Sequence, residues 1–226
     1  MDEMALLKGI PLFAGMAAEQ LGPLVGMLVR RTFRKGQVIL RQGEEGDSLF
    51  VIVAGRVRIY TLSPEGHELS MSIFDEGDFF GEMALLSGEP RSASAEAMER
   101  TEVLVLQRRA FRNHLVSNPS AAIHVIETLS QRLRRTTETA DELMSLNVPQ
   151  RVARKLLELV ERYGVKQGDG ILIDLDLSQE AIASLAGTTR ESANRALSRL
   201  REQGVVQIER VRIRVLRPEK LEEFLY

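Results

Sequence analysis

Two stretches of this chain hold residues whose types and spacing could do chemistry. The first is FGEMALLSGEPRSASA, where Gly81 and Glu82 are followed by Arg91 and Ser92 with small residues between. Glycine lets a backbone approach a ligand closely, and a helix starting at Glu82 directs free amides at an anion. Arg91 brings the charge and forked donors that suit a phosphate, Ser92 adds a hydroxyl, and Glu82 can accept from a sugar hydroxyl. The set is shaped for a ribose phosphate. The plainer reading of the same residues is an Arg91–Glu82 ion pair inside a loop.

The second stretch is TRESANRALSRLREQG, beginning at Thr189. Ala193, Leu197 and Leu200 recur at helical spacing and make a stripe to be buried, which leaves Arg190, Glu191, Asn194, Arg195 and Ser198 on the other side. A helix that enters a major groove needs this division, because arginine can take guanine bidentately and glutamate can accept from the cytosine amino group. Arg190, Glu191 and Arg195 are the expected base readers. Glu191 has a second reading, since Thr188-x-x-Glu191 also fits a capping box that serves the helix's own terminus. Ser178, Gln179, Thr188, Thr189, Asn194 and Arg199 surround the readers and are the expected contacts to the DNA backbone, supplying affinity without sequence information.

Composition narrows the chemistry further. The 226 residues include no cysteine and three histidines, His67, His114 and His124, none at ligand spacing from another. No thiolate metal site, iron–sulfur cluster, haem or metal is therefore expected, and an enzyme using Glu82 as a base would lack a nucleophile or metal to accompany it. The net charge of -2 hides an uneven distribution: Thr188 to Arg217 holds eight arginines and three glutamates, so that segment carries +5 and the rest -7. A basic cluster of this kind fits a polyanion partner. No run reaches the roughly 18 apolar residues of a membrane helix, and MDEMALLKGIPLF has no signal-peptide pattern, so a cytoplasmic protein without membrane partners is expected.

The elements that must position these residues follow from periodicity. Residues 1 to about 30, with Leu6, Leu7, Leu21, Leu24 and Leu28 interrupted at Pro11 and Pro23, predict helices that cap a core. QVIL, SLFVIVAG, RVRIYTL, ELSMSIF and TEVLVLQ, separated by glycine turns, predict an antiparallel β-roll or jelly roll. From Pro119, Ile126, Leu129, Leu133, Thr136, Ala140 and Leu143 step by three and four along one helix. That seam fits either packing on the chain's own roll or a coiled coil joining two copies. Pro149 disfavours helical geometry at Val148, which places an expected hinge at LNVPQ. Beyond it come a helix, the strand GILIDL, the helix SQEAIASLAG with Ser178 as cap and Gly187 as stop, the arginine-rich helix, and a hairpin from VVQIE and VRIRVL. Two helices joined by a tight glycine turn and followed by such a hairpin describe a winged helix-turn-helix. The expected class is α+β, with a roll and its N-terminal helices over 1–118, a long central helix and hinge over 119–147, and a winged domain over 148–226.

GEEGDSLFVIVAG and FGEMALLSGEPRSASAEA resemble the signature segments of the cyclic-nucleotide-binding domain. LSQEAIASLAGTTRESANRALSRL resembles the helix-turn-helix of the Crp/Fnr family of bacterial transcription regulators. The resemblance covers essentially the whole chain in the right order. It implies cyclic AMP as allosteric effector, with Gly81 and Glu82 meeting the ribose and cyclic phosphate and Arg91 and Ser92 holding the phosphate. RLRRTTETADEL is similar to that family's central helix, which implies that Arg132 lines the site and that Thr136 and Thr137 meet the adenine, one from each subunit of a homodimer. It implies double-stranded DNA with TGTGA-like half-sites as target and RNA polymerase as a partner, for which GVKQGDG, Gly164 to Gly170, read as an exposed loop, is the candidate contact. Gln179 departs from the family pattern at one phosphate contact. A family member with another effector, or none, is the alternative.

Overall fold

Along Ser48–Ala54 every second side chain faces the same way, and both faces are apolar. In the computed structural model, which describes residues 7–13, 17–64, 66 and 68–225, Leu49, Val51 and Val53 join one core cluster with Leu12, Phe13, Leu21 and Leu24. Phe50 and Ile52 join another with Phe33, Phe74, Phe80 and Val103. One strand therefore serves two cores: a helical cap covers one face, and the interior of a roll takes the other.

The chain divides into two compact units, residues 1–62 with 71–135, and residues 63–70 with 136–226. The roll comprises β1 (Val29–Phe33), β2 (Val38–Leu40), β3 (Ser48–Ala54), β4 (Val57–Leu62), β5 (Glu68–Phe74), β6 (Phe79–Phe80), β7 (Ser94–Ala97) and β8 (Thr101–Gln107). They form two four-stranded sheets in the orders β1-β8-β3-β6 and β2-β7-β4-β5. β8 pairs antiparallel with β1 and β3, and β7 with β2 and β4. All five expected strand runs are present. Among the described N-terminal residues, Leu7 and Lys8 are helical and are followed by a 3-10 turn at Pro11–Phe13 and helix α1 (Ala18–Val25), and β1 begins at Val29. Leu6 and His67 lie outside the described residues.

Three helices follow within or beside the roll: α2 (Glu82–Ser87), α3 (Arg108–Ser117) and α4 (Pro119–Ser145). At 1.5 Å per residue α4 runs about 40 Å. Its apolar face splits. Val125 and Leu129 belong to the first core cluster, while Ile126 and Leu133 are 63% and 68% exposed.

Two residues, Leu146 and Asn147, separate α4 from α5 (Val148–Tyr163). The helix is thus interrupted within LNVPQ as expected, but at Leu146 and Asn147, while Val148 is itself helical because Val148 and Pro149 open α5. Proline is tolerated there, since the first amides of a helix have no intrahelical acceptor. Asn147 caps instead: its Oδ1 accepts the Gln150 N–H at 3.1 Å, and Gln150 Oε1 accepts the Asn147 N–H at 2.9 Å. The second unit continues with β9 (Gly164–Gln167), β10 (Gly170–Ile173), α6 (Gln179–Leu185), α7 (Arg190–Glu202), β11 (Val206–Glu209), β12 (Arg212–Val215) and α8 (Pro218–Glu223). GVKQGDG, expected as a loop, is mostly the β9–β10 hairpin, and the sheet has four strands ordered β11-β12-β10-β9.

His114 of α3 is buried beside Phe13, with Nε2 3.3 Å from the Leu12 carbonyl and Nδ1 3.3 Å from Asn118 Nδ2. A proton on Nε2 satisfies both contacts, since Nδ1 then accepts from the amide. A second proton would set donor against donor. Burial lowers the His114 pKa, and the Leu12 carbonyl opposes this in part. The unfolded chain takes up that proton near pH 6.5 while the folded one does not. The contribution is thus complete above about pH 6.5 and falls as pH drops toward the depressed folded value. Thermal unfolding at pH about 7.5 and about 5.5 is expected to show a smaller loss of Tm for His114→Gln than for the unaltered protein; equal losses would count against a neutral buried imidazole.

Candidate functional site

Gly81 adopts φ +83°, a conformation costly for residues with a Cβ, and precedes the single-turn helix α2. Its carbonyl accepts Arg91 Nη1 at 2.7 Å, and the Ser48 carbonyl accepts Arg91 Nη2 at 2.8 Å. Arg91 is 6% exposed, and among the described residues no carboxylate lies within ion-pair distance of it. A Cβ at Gly81 would stand 2.7 Å from Arg91 Nη1, and one at Gly46 would stand 2.5 Å from Arg91 Nε. Two glycines therefore make the space in which the guanidinium lies. Burial lowers the Arg91 pKa, an effect that the fields of Asp47 and Glu82 oppose and that of Arg108 assists.

Glu82 does not pair with Arg91. Its carboxylate, buried at 3% exposure, accepts Arg132 Nη1 at 2.9 Å. Arg132 reaches it from α4, also donates to the Phe79 carbonyl, and lies 4.2 Å from the Phe74 ring centroid and 4.9 Å from that of Phe79. This settles the ion-pair alternative raised from sequence, because the loop arginine takes carbonyls while the helix arginine takes the acid. Gly81, Glu82, Arg91 and Arg132 are thus brought together. Ser92 is exposed and its hydroxyl contacts Met83 Sδ at 3.4 Å. Thr136 and Thr137 lie one turn beyond Arg132 on α4 and are exposed.

In the second unit, Ser178 caps α6, its Oγ accepting the Ala181 N–H at 3.1 Å. The chain turns at Gly187, φ +57°, and the Thr188 N–H is taken by the Ala183 carbonyl at 2.9 Å. Thr189, not Thr188, caps α7: its Oγ1 accepts the Ser192 N–H at 3.3 Å. The capping box suggested by Thr188-x-x-Glu191 is therefore absent, and the cap itself lies one residue further along. The Glu191 carboxylate is exposed and makes no hydrogen bond or ion pair among the described residues. Ala193, Ala196, Leu197 and Leu200 are buried. Arg190 and Arg195 are exposed beside Glu191, and an open groove along α7 is lined by Glu191, Asn194, Arg195 and Arg199. Gln179 and Thr188 are half-buried, whereas Ser178 and Thr189 are exposed at the two helix starts.

Arg151 escaped sequence reasoning. Its guanidinium donates to the Leu146 carbonyl at 2.8 Å and to the Ala186 and Gly187 carbonyls at 2.8 and 3.2 Å. It ties the end of α4 to the turn between α6 and α7. A Cβ on Gly187 would come within 2.5 Å of Leu143 Cδ2, so the turn lies hard against the same helix end. No periodicity marks an arginine whose acceptors are all main-chain carbonyls; only the adjacency of Gly187 to two capped helices hinted at a crowded turn.

Residues 30–118 match the cyclic nucleotide-binding domain, and residues 150–224 match the Crp-like helix-turn-helix domain. The chain is 33% identical over 209 residues to a CRP-like cAMP-activated global transcriptional regulator of Mycobacterium tuberculosis, covering 92% of each chain. It is 34% identical to the cyclic AMP receptor protein of Thermus thermophilus, covering 97% of this chain and 99% of that one. The fold is also that of the c-di-GMP responsive global regulator CLP of Xanthomonas campestris, with a TM-score of 0.80 at 24% identity over 88% of this chain and 99% of the other. With both domains matched in order and a third of the residues shared along nearly the full length, the chain belongs to the Crp/Fnr family of DNA-binding transcription regulators.

Proposed function

We propose that this protein is a cytoplasmic, homodimeric transcription activator controlled by cyclic AMP and directed to palindromic operators with TGTGA-like half-sites. The observation that carries the effector assignment is Arg91. Its guanidinium is buried, donates to two carbonyls and makes no ion pair among the described residues, and burying a charge away from a directly paired counter-ion is costly. A cyclic phosphate supplies the missing anion through charge-assisted hydrogen bonds. Ser92 adds a hydroxyl to the phosphate, and Gly81 lets the backbone come close.

Glu82 accepts a ribose hydroxyl in this scheme, and that hydroxyl competes with Arg132 for the carboxylate. Because Arg132 belongs to α4, occupancy of the cradle alters how that helix is held. Thr136 and Thr137, reaching the adenine from the two subunits, make the same helix part of the ligand's surroundings. Three apolar residues on the α4 seam that remain exposed, Ile126, Leu133 and Leu143, support pairing with a second copy. The proposed division is a sensor over 1–118, a dimer helix and hinge over 119–147, and a DNA-binding domain over 148–226. Arg151 and the Asn147 cap carry a change at the helix end to the turn that orients α7.

In the operator, Arg190, Glu191 and Arg195 read base edges, and Ser178, Gln179, Thr188, Thr189, Asn194 and Arg199 meet the backbone. The Ser178 side chain accepts from its own helix, which leaves its hydroxyl proton available to a phosphate, whereas the Thr189 hydroxyl already donates to Ser192 Oγ at 3.2 Å and would exchange that partner for a phosphate. The exposed β9–β10 hairpin is the proposed contact for RNA polymerase. Coupling between nucleotide and DNA must be reciprocal and is typically about 1–3 kcal/mol. A second reading, regulation without cyclic AMP, has one observation in its favour: Glu82 already has a complete partner in Arg132.

Arg91→Gln keeps one amide donor for the carbonyls and removes the charge. Calorimetry is expected to show cyclic AMP binding lost in this variant with its far-UV spectrum unchanged, and the nucleotide's enhancement of DNA affinity lost with it; retained binding would sink the cradle assignment, and no binding by the unaltered protein would favour the second reading. In a binding-site selection, Glu191→Ala is expected to relax preference at one position per half-site, by about 1–3 kcal/mol; an unaltered preference would remove Glu191 from the base readers. Sedimentation of Ile126→Glu/Leu133→Glu is expected to give a monomer, and a persistent dimer would place the interface elsewhere.

A further inference from the structure

Helix α3 opens on two cations. Arg108 and Arg109 are its first residues, its first turn holds no acid, and Gln107 before it provides no side-chain cap. The unpaired amides at a helix start favour an anion, so cations there work against the helix. Arg109 is exposed, whereas Arg108 is half-buried. The stability of α3 therefore gives no account of a guanidinium drawn out of solvent at this position.

What Arg108 binds is the segment between β2 and β3. Its main-chain N–H donates to the Asp47 carbonyl at 2.7 Å, and its Nη2 donates to the Gly46 carbonyl at 2.6 Å. The same segment is bonded to Arg91: the Gly43 N–H donates to the Arg91 carbonyl and the Arg91 N–H to the Glu44 carbonyl, each at 2.8 Å. Asp47 directly precedes Ser48, whose carbonyl accepts Arg91 Nη2 at 2.8 Å. Gly46 borders the guanidinium itself, since a Cβ there would stand 2.5 Å from Arg91 Nε and 2.6 Å from its Cζ. Residues 43–47 are thus clasped between two arginines, and the carbonyl that Arg108 takes belongs to the glycine that makes room for the other. The fields of Asp47, Glu82 and Glu44 act on Arg91 in one direction and that of Arg108 in the other. Without Arg108 the surroundings of the cradle would be more negative.

We infer that Arg108 is a positioning residue of the anion cradle. By holding the carbonyls of Gly46 and Asp47 it fixes the segment against which the Arg91 guanidinium rests, and its charge favours the anion that Arg91 receives. It acts through Arg91 and does not itself meet the nucleotide. A peptide held from α3 keeps Arg91 aimed before any ligand arrives, so less ordering is left to be done on binding. The inference rests on the cyclic nucleotide reading of the cradle and adds a residue from outside the stretch that suggested it.

Arg108→Met keeps an apolar stem and removes the donors and the charge, whereas Arg108→Lys keeps a charge and a donor for the single carbonyl that the side chain takes. The full-length protein and both variants are titrated with cyclic AMP by calorimetry, alongside thermal unfolding and heteronuclear NMR of the arginine Nε–H groups, the Arg91 signal being assigned by its loss in Arg91→Gln. Arg108→Met is expected to bind cyclic AMP about tenfold or more weakly at an unchanged number of sites per protomer. Its Arg91 Nε–H is expected to exchange with water faster than in the unaltered protein, before nucleotide is added. Arg108→Lys is expected to return both readouts toward their original values. An unchanged affinity in Arg108→Met overturns the inference, and a fall in Tm alone would leave Arg108 a structural residue of α3. A weakened affinity with the Arg91 exchange rate unaltered overturns the action through Arg91. Absence of cyclic AMP binding by the unaltered protein overturns the effector reading and this inference with it.

Discussion

The sensor half of this molecule depends on how it stabilises one buried cation. Removing a guanidinium from water is costly unless its donors are met, and here the carbonyls of Ser48 and Gly81 meet them. They can do so only because Gly46 and Gly81 have no side chains to fill the space that Arg91 occupies. The β3 strand that presents Ser48 is fixed by two apolar cores at once. Moving the carbonyl would disturb packing on both faces. The cation is thereby held in place without being neutralised, which separates structural satisfaction from electrostatic satisfaction: the fold provides the first, and an anionic ligand can provide the second.

The acid beside it follows a different logic. Glu82 is as buried as Arg91, yet its partner comes from a distant element, α4, through Arg132. Breaking a buried pair by taking one partner away is far costlier than exchanging that partner for another. A sugar hydroxyl that approaches Glu82 as Arg132 withdraws is such an exchange. In the second unit another arginine also binds main chain, for Arg151 collects three carbonyls from the end of α4 and from the turn before α7. Main-chain carbonyls cannot move independently of their helices, so these contacts fix the turn before α7 against the end of α4.

Much of this was legible in the sequence where a residue's role follows from local periodicity. The strand runs of the roll, the buried stripe of Ala193, Leu197 and Leu200, and Ser178 as a cap are set by neighbours within a few positions. β7 went unread because its segment SAEA has neither the bulk nor the branching that marks a strand; its alanines are small because the interior leaves them little room. The placement of the cap at Thr189 rather than Thr188 turned on where the turn after Gly187 released the chain, a backbone property that two adjacent threonines do not reveal. The pairings of Arg91 and Arg132 were illegible for a deeper reason. Each spans 43 to 53 positions in part, and a guanidinium finds carbonyls and carboxylates equally acceptable until the fold brings one of them near.

Charge is arranged in opposite ways at the two sites, and that contrast bears on selectivity. At the cradle, Arg91 is buried, so its field is weakly screened and would favour a small anion that fits beside it. On α7, Arg190 and Arg195 stand in solvent, where salt screens their fields together. The segment from Thr188 to Arg217 carries +5 while the remainder carries -7. A polyanion is therefore attracted to that segment and repelled by the rest, which orients the encounter before any base is read. Six of those seven negative charges lie in residues 136–187 and 218–226, so residues 1–135 are close to neutral at -1 and a small anion meets little long-range repulsion there.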